Sequence, residues 1–313
     1  MTRSICIIIL LIITHKTANS QCCASSGNPI GSTVNIGLLD KHIFRIAAFY
    51  RFSSYDEYYI GDKKYSGNIG SVEKAIFNYV GLLSAYGISD RITLELETGY
   101  FINKTHFYKI NDQKLTGYGL ADAVISVRPR IYHNPDKQFE ISCTFGSNIP
   151  FSRDLQQVNG VTLPIDLQPS TVSFGLVFQS NIIKENSFRS SSFLLLTRIE
   201  KYFETKQGYT FGNSYSNSLF FSKFFFVENQ FLQGWTSVLQ IRNQIRGQNS
   251  WSDNPIKATG NCSFFFIPQI SLSLPHKWNF SMLVDVPVYQ YFNEIQLAKK
   301  ISYAISINKD FIL

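Results

Sequence analysis

The chain has 313 residues, of which 16% are charged and 15% aromatic, with 27 Phe and 17 Tyr. Soluble domains carry roughly a quarter charged residues, so these charges are too few to cover a water-facing surface, and the aromatics are too many for one core. The net charge of +7 includes no basic run, which argues against a nucleic-acid-binding protein.

Residues 1–20 read as a secretory signal peptide. Arg3 supplies the positive start, Ile5 to Thr14 is apolar apart from Cys6, and Thr17-Ala18-Asn19-Ser20 offers small residues for cleavage before Gln21. The run is too short for a spanning helix, and Asn19-Ser20-Gln21 ahead of Cys22 fits a lipobox poorly. Cleavage removes Arg3 and Lys16, leaving 27 basic and 22 acidic residues, a net charge of +5 (27 − 22). Cys22, Cys23, Cys143 and Cys262 remain. The last two fall in apolar segments, while Cys22 and Cys23 begin a Ser/Gly/Pro-rich stretch and suit pairing, with each other or with a partner, in an oxidising compartment. No zinc spacing or CxxC motif is present.

Beyond Lys41 the chain alternates with period two, the mark of strands with one apolar and one polar face. Phe44, Ile46, Ala48, Tyr50 and Phe52 alternate with Arg45, Ala47, Phe49 and Arg51. Residues 76–103 form a hairpin about Gly87–Asp90, with Ile92, Leu94, Leu96, Thr98 and Tyr100 on one face and Thr93, Glu95, Glu97 and Gly99 on the other. Ala123 to Tyr132, Phe139 to Gly146 and Val172 to Gln179 continue the pattern. Segments near 190–203, 217–226, 231–246, 260–274, 279–287 and 298–311 bring the strands to twelve. Phe193-Leu194-Leu195-Leu196 and Phe224-Phe225-Phe226 break the alternation.

The connections carry more information than any one strand. Ser53–Val72, Lys104–Tyr118, Ile149–Ser170, Glu204–Ser216 and Gly247–Thr259 are long, and 288–297 is of medium length. Gly87–Asp90, His133–Lys137, Lys184–Arg189, Val227–Gln230 and Pro275–Trp278 are short. Long and short alternate, as in an up-and-down transmembrane barrel, whereas a soluble Greek-key sandwich, the competing architecture, has no reason to do so. After cleavage no apolar run of about 18 residues remains, which excludes a helical span. A closed sheet is then the way to satisfy every backbone group in lipid. The reading is an all-β, up-and-down antiparallel transmembrane barrel of about twelve strands. Aromatics at segment ends (Tyr50, Tyr79, Tyr86, Tyr100, Tyr132, Tyr202, Trp235, Trp278, Tyr289 and Tyr303) are expected in interfacial girdles.

If the apolar faces meet lipid, the opposite faces line a lumen. Strand phase places Arg45, Arg51, Glu95, Glu97, Asp122, Arg128, Arg130, Arg198, Glu200 and Arg242 there, with Arg246 and Asp285. These charges either brace a narrow interior or sort the solutes that pass; both readings stay open. The slight arginine excess favours small polar or anionic solutes. Catalysis has little support: the histidines fall at strand ends or in loops, and neither GxSxG nor HExxH occurs. No cofactor or metal is expected. The sequons at Asn103, Asn261 and Asn279 fall in or against strands for the most part and read as chance.

Four stretches resemble one bacterial family: QCCASSGNPIGS…GLLDKHIFRIAAFYRF, ETGYFINKT (97–105), GLADAVISVRPRIY (119–132), and FFIPQISLSL…VPVYQYFNEIQLAKKISYAISI (265–307). This is the family of outer-membrane transporters placed with the meta-pathway of phenol degradation, related to the hydrophobic-compound channels. The most distinctive part is the pattern from Pro287 to Leu297. The resemblance implies a barrel in the outer membrane of a double-membraned bacterium, with outer-membrane lipid and the barrel-assembly machinery as partners, and it lends no catalytic residues. The chain departs from the pattern at Gly119-Leu120-Ala121-Asp122 and at Phe292-Asn293-Glu294-Ile295, where turn glycines are missing. It also ends in Phe311-Ile312-Leu313 rather than on an aromatic.

Together these readings divide the chain into a signal peptide (1–20), a plug or periplasmic segment (21–40) and the barrel (41–313). The expected function is passive or facilitated diffusion of a small solute, with hydrophobic or aromatic compounds among the candidates. The alternative is a barrel that transports nothing and acts as a docking platform through its loops.

Overall fold

The computed structural model describes residues 37–67, 72–109, 113–227 and 232–313. The signal segment, Cys22, Cys23 and most of the 21–40 segment lie outside them. The described chain is almost all strand: β1 (Ile43–Gly61), β2 (Val72–Ser89), β3 (Ile92–Tyr108), β4 (Lys114–Leu120), β5 (Ala123–Asn134), β6 (Phe139–Ile149), β7 (Gly175–Asn186), β8 (Ser191–Tyr202), β9 (Ser214–Phe226), β10 (Gly234–Arg246), β11 (Asn261–Leu274) and β12 (Trp278–Ile312). Several two-residue strands decorate the loops, and the only helical elements among the described residues are three-residue 3-10 turns.

Every neighbouring pair is antiparallel, and the sheet closes on itself where β12 meets β1, from Ile43↔Ile312 to Gly61↔Phe292. The ring holds eleven elements, with β4 and the short strand Lys63–Lys64 outside it. The 35-residue β12 crosses the wall twice. Residues 278–292 pair with β11 and residues 292–312 with β1. The two limbs lie side by side, since Asn279 Nδ2 donates to Asn308 Oδ1 at 3.2 Å and Gln290 Nε2 to the Lys299 carbonyl at 2.9 Å. Eleven elements with one double crossing make twelve crossings, an even number that brings the first and last wall residues, Ile43 and Ile312, to one rim. Closure leaves no unpaired edge in the ring, the condition for a sheet in lipid.

The alternation sets which face is which. Leu94 is 44% exposed and its neighbour Glu95 only 8%. Ile125, Val127, Phe145, Leu176, Ile241, Ile270 and Met282 also point outward and form an apolar exterior. Ser142, Asn181, Ser218, Gln240, Ser271, Ser281 and Ser302 point inward and are buried. The Phe193–Leu196 run alternates after all: Phe193 and Leu195 are exposed, and Leu194 and Leu196 are buried with Phe220 and Val238. Its sequence pattern breaks down because the lumen is apolar at that point as well.

Long and short connections alternate as expected, but three boundaries move. β1 continues to Gly61, so much of the stretch from Ser53 is wall rather than loop. β3 runs to Tyr108 and the chain resumes as β4 at Lys114, so the supposed loop 104–118 is mostly strand rising above the ring. β7 starts at Gly175, because Val172 adopts a left-handed backbone (φ 52°) and leaves the ladder. Inside the upper wall, rings stand over glycines: a side chain at Gly81 would meet Phe49, and one at Gly99 would meet Tyr79. Phe49, Tyr79, Phe101 and Ala121 pack together there.

Candidate functional site in the barrel lumen

At the short-turn end, two ion pairs neutralise the lumen rim. Arg45 grips Asp310, its direct cross-strand partner, through Nε–Oδ1 at 2.6 Å and Nη2–Oδ2 at 2.7 Å. Arg130 contacts Glu140 at 3.0 Å. The chain entering β1 crosses this rim: the Leu38 amide donates to Glu140 Oε1 at 3.4 Å and the Leu39 amide to Thr93 Oγ1 at 3.2 Å.

Further up, β3, β5 and β8 bring most of the carboxylates together. Arg128 contacts Glu95 at 2.9 Å, and its Nε donates to Thr144 Oγ1 at 3.1 Å. Arg198 donates to both oxygens of Glu97, at 3.1 and 3.2 Å, and its Nε donates to Glu200 at 2.7 Å. The Tyr202 hydroxyl donates to the other Glu200 oxygen at 3.2 Å. β5, β6 and β7 separate β3 from β8 on the ring, so the Glu97–Arg198 pair crosses the lumen as a chord. With Asp122, four carboxylates face two arginines. A small cavity between Tyr79, Thr98, Asp122 and Tyr202 lies beside this chord, at the break between β4 and β5.

The opposite wall, on β1 and β10–β12, has the reverse imbalance. Arg242 Nη2 donates to Asp285 Oδ2 at 2.6 Å, and Lys299 Nζ approaches the same oxygen at 3.3 Å. Both cations lie over the Phe265 ring, 4.6 Å and 5.0 Å from its centre, where the ring's negative face favours a cation. Arg51 joins this wall from β1, directly across from Ala304, which packs with Phe265. Three cations face one carboxylate.

Asp122, one of the residues phased toward the lumen, serves as a structural acceptor. It takes hydrogen bonds from Ser170 Oγ (2.5 Å), the Thr171 amide (3.0 Å), Thr171 Oγ1 (2.5 Å) and Asn148 Nδ2 (2.8 Å), which pins one end of the loop 150–174. That loop reaches across the long-loop end of the barrel. Leu163 and Leu167 pack with Tyr55, Ala75, Phe77 and Leu297, Lys104 Nζ donates to the Gln168 carbonyl at 2.7 Å, and His106 contacts Asp166 at 3.3 Å. The side chain of Gln156 bonds both the amide and the carbonyl of Tyr118, at 3.2 and 2.9 Å, standing in for a strand along the outer edge of β4.

Sequence reasoning missed Lys104, His106 and Lys299 as inward residues. Each follows a register shift: Phe101/Lys104 between β3 and β4, and Ser54/Tyr55 between β1 and β12. The loop pattern assigns Lys104 and His106 to the connection 104–118, and since one extra residue moves every later side chain to the other face, strand phase carried past the shift puts Lys299 on the wrong side. The girdle assignment also needs two corrections. Tyr79 is buried in the lumen against Phe49 and Phe101, and Tyr202 bonds Glu200 inside the barrel. Tyr100, Tyr132, Trp278, Tyr289 and Tyr303 are exposed on the outside; at Tyr132 a register shift after Arg130 accompanies the outward turn. Among the described residues, no group of His, Cys, Asp and Glu is placed to hold a metal ion. The arrangement can orient and sort polar or charged solutes.

No protein-family model matches the sequence, and no curated protein does. Solved structures do match. The COG4313 outer membrane channel from Pseudomonas putida F1 superposes with a TM-score of 0.67 at 12% identity, over 92% of this chain and 100% of that one. The beta domain of the Bordetella autotransporter BrkA follows, with a TM-score of 0.53 at 9% identity, over 87% of this chain and 100% of that one. At these identities the likeness is one of fold. The fold is that of an outer-membrane β-barrel, and the family resemblance read from the sequence points the same way.

Proposed function

We propose that the protein is an outer-membrane channel through which a small solute moves by passive or facilitated diffusion. The observation that carries this reading is the pairing of an apolar exterior with a lumen lined by buried charges and amides, in a closed barrel. The likeness to a protein described as an outer membrane channel supports it. Hydrophobic or aromatic solutes suit the rings of Phe49, Tyr79 and Phe101 that project into the upper lumen. On this reading residues 1–20 direct export, the barrel-assembly machinery inserts the barrel, and residues 21–40 occupy the lumen or the periplasmic rim. The path of residues 37–40 across that rim favours occupancy. Deleting residues 22–35 is then expected to raise single-channel conductance in planar bilayers, and unchanged conductance removes the plug.

A docking platform is the second reading, favoured by the Glu97–Arg198 chord, which braces the lumen as a structural barrel would. Liposome swelling separates the two. Purified protein in vesicles should admit small solutes at rates that rise with protein content, and vesicles that stay impermeable leave the platform.

A further inference from the structure

Arg51 has neither an ion pair nor a hydrogen bond among the described residues. Its guanidinium lies over the Phe49 ring, 5.8 Å from the centre, and Arg51 stands directly across from Ala304 of β12, which packs with Phe265 and Leu283. Asp285 already holds Arg242 and Lys299 on a single oxygen. Among the described residues, Arg242 Nε has no hydrogen-bond partner, and neither does Asp285 Oδ1. Buried polar atoms in native proteins are rarely left so, and a desolvated guanidinium without an anion is costly. Directly beside these groups, Phe265, Ile267, Leu283 and Ala304 form a buried apolar cluster on the inner faces of β11 and β12. Unused cationic donors next to an apolar shelf describe the two ends of one kind of guest.

We propose that Arg51, Arg242 and Lys299 form a binding site for an oxyanion carried on a small apolar body, such as an aryl or short alkyl carboxylate. The carboxylate accepts from Arg51, which is only half-buried, and Arg242 swings its buried Nε out to share it, uncovering Phe265 and Leu283 for the apolar body. Asp285 holds Arg242 and Lys299 together on one oxygen while the site is empty and keeps the site from binding any anion too tightly to release. This deepens the channel reading, because it names what would pause in the lumen.

The test is equilibrium binding to the full-length barrel in detergent, read by titration calorimetry with benzoate, benzamide and inorganic phosphate. Benzoate is expected to bind and its uncharged isostere benzamide to bind at least about ten-fold more weakly, the scale of one or two hydrogen bonds to a charge. Arg51→Gln should weaken benzoate by a similar factor. It breaks no ion pair, so its heat-modifiable gel mobility should match the parent and show a folded barrel. Equal binding of benzoate and benzamide, or a folded Arg51→Gln barrel with unchanged benzoate affinity, overturns the site. Phosphate binding as tightly as benzoate overturns the apolar half of it. Because binding is measured without transport, impermeable vesicles around a barrel that still binds benzoate would count against the channel and not against the site.

Discussion

On the wall formed by β3, β5 and β8, each arginine is fully engaged: Arg198 joins two glutamates from different sides of the lumen, and Arg128 joins a glutamate and a threonine. On the wall formed by β1 and β10–β12, one carboxylate serves two cations and a third cation has no partner. The first wall is built like a brace and the second like a receptor. The contrast shows that buried charge in one lumen can serve two ends, and that the count of satisfied bonds, more than the count of charges, tells them apart.

Breaking the brace should have the largest effect. Arg198→Met leaves Glu97 and Glu200 buried without a countercharge, and losing one member of a buried ion network costs about 3–5 kcal/mol. The variant should unfold at lower temperature in the heat-modifiability assay, with a poor yield of folded barrel. If its transition stays where the parent's is, the chord is not a brace.

Asp122 comes next. Asp122→Ala removes an acceptor that serves Ser170, Thr171 and Asn148, a loss of about 2–3 kcal/mol borne mainly by the loop 150–174. The loop is expected to loosen while the ring stays closed, so the barrel should keep its gel mobility while protease cuts within 150–174 faster. Unchanged cleavage would mean that Leu163, Leu167 and Lys104 hold the loop without it.

How much of this was legible beforehand follows from the period of a strand. The hairpin of β2 and β3 could be read side chain by side chain, because Ile92 to Tyr100 runs without interruption and its turn is short. The alternation of loop lengths gave the topology. What could not be read lies beyond each register shift. Lys104, His106 and Lys299 face inward because of a local irregularity in pairing, which depends on the partner strand and leaves no mark in their own segment. The role of Asp122 was hidden for a different reason. Its partners are 26 to 49 residues away, on β6 and in a loop whose path over the barrel no periodicity encodes.

The smallest effect sharpens the comparison rather than breaking it. Replacing Glu95 and Glu97 with Gln turns the acidic wall from four carboxylates against two arginines into two against two. Arg198 keeps Glu200, Arg128 keeps Thr144, and Gln keeps a carbonyl acceptor at both positions, so the barrel should still fold, though with a lower thermal transition. A unit charge about 7 Å from a passing ion in water is worth roughly 0.6 kcal/mol, or about threefold per charge in partition. The reversal potential in a salt gradient should therefore move toward anions, by an amount that shrinks as salt screens the lumen. The same double variant should leave benzoate affinity on the far wall nearly unchanged, since that site draws on Arg51, Arg242 and Lys299. A shift in selectivity without a shift in binding shows two walls acting independently. Selectivity that does not move at any salt concentration makes both glutamates braces and leaves the basic wall as the only part of the lumen that meets solute.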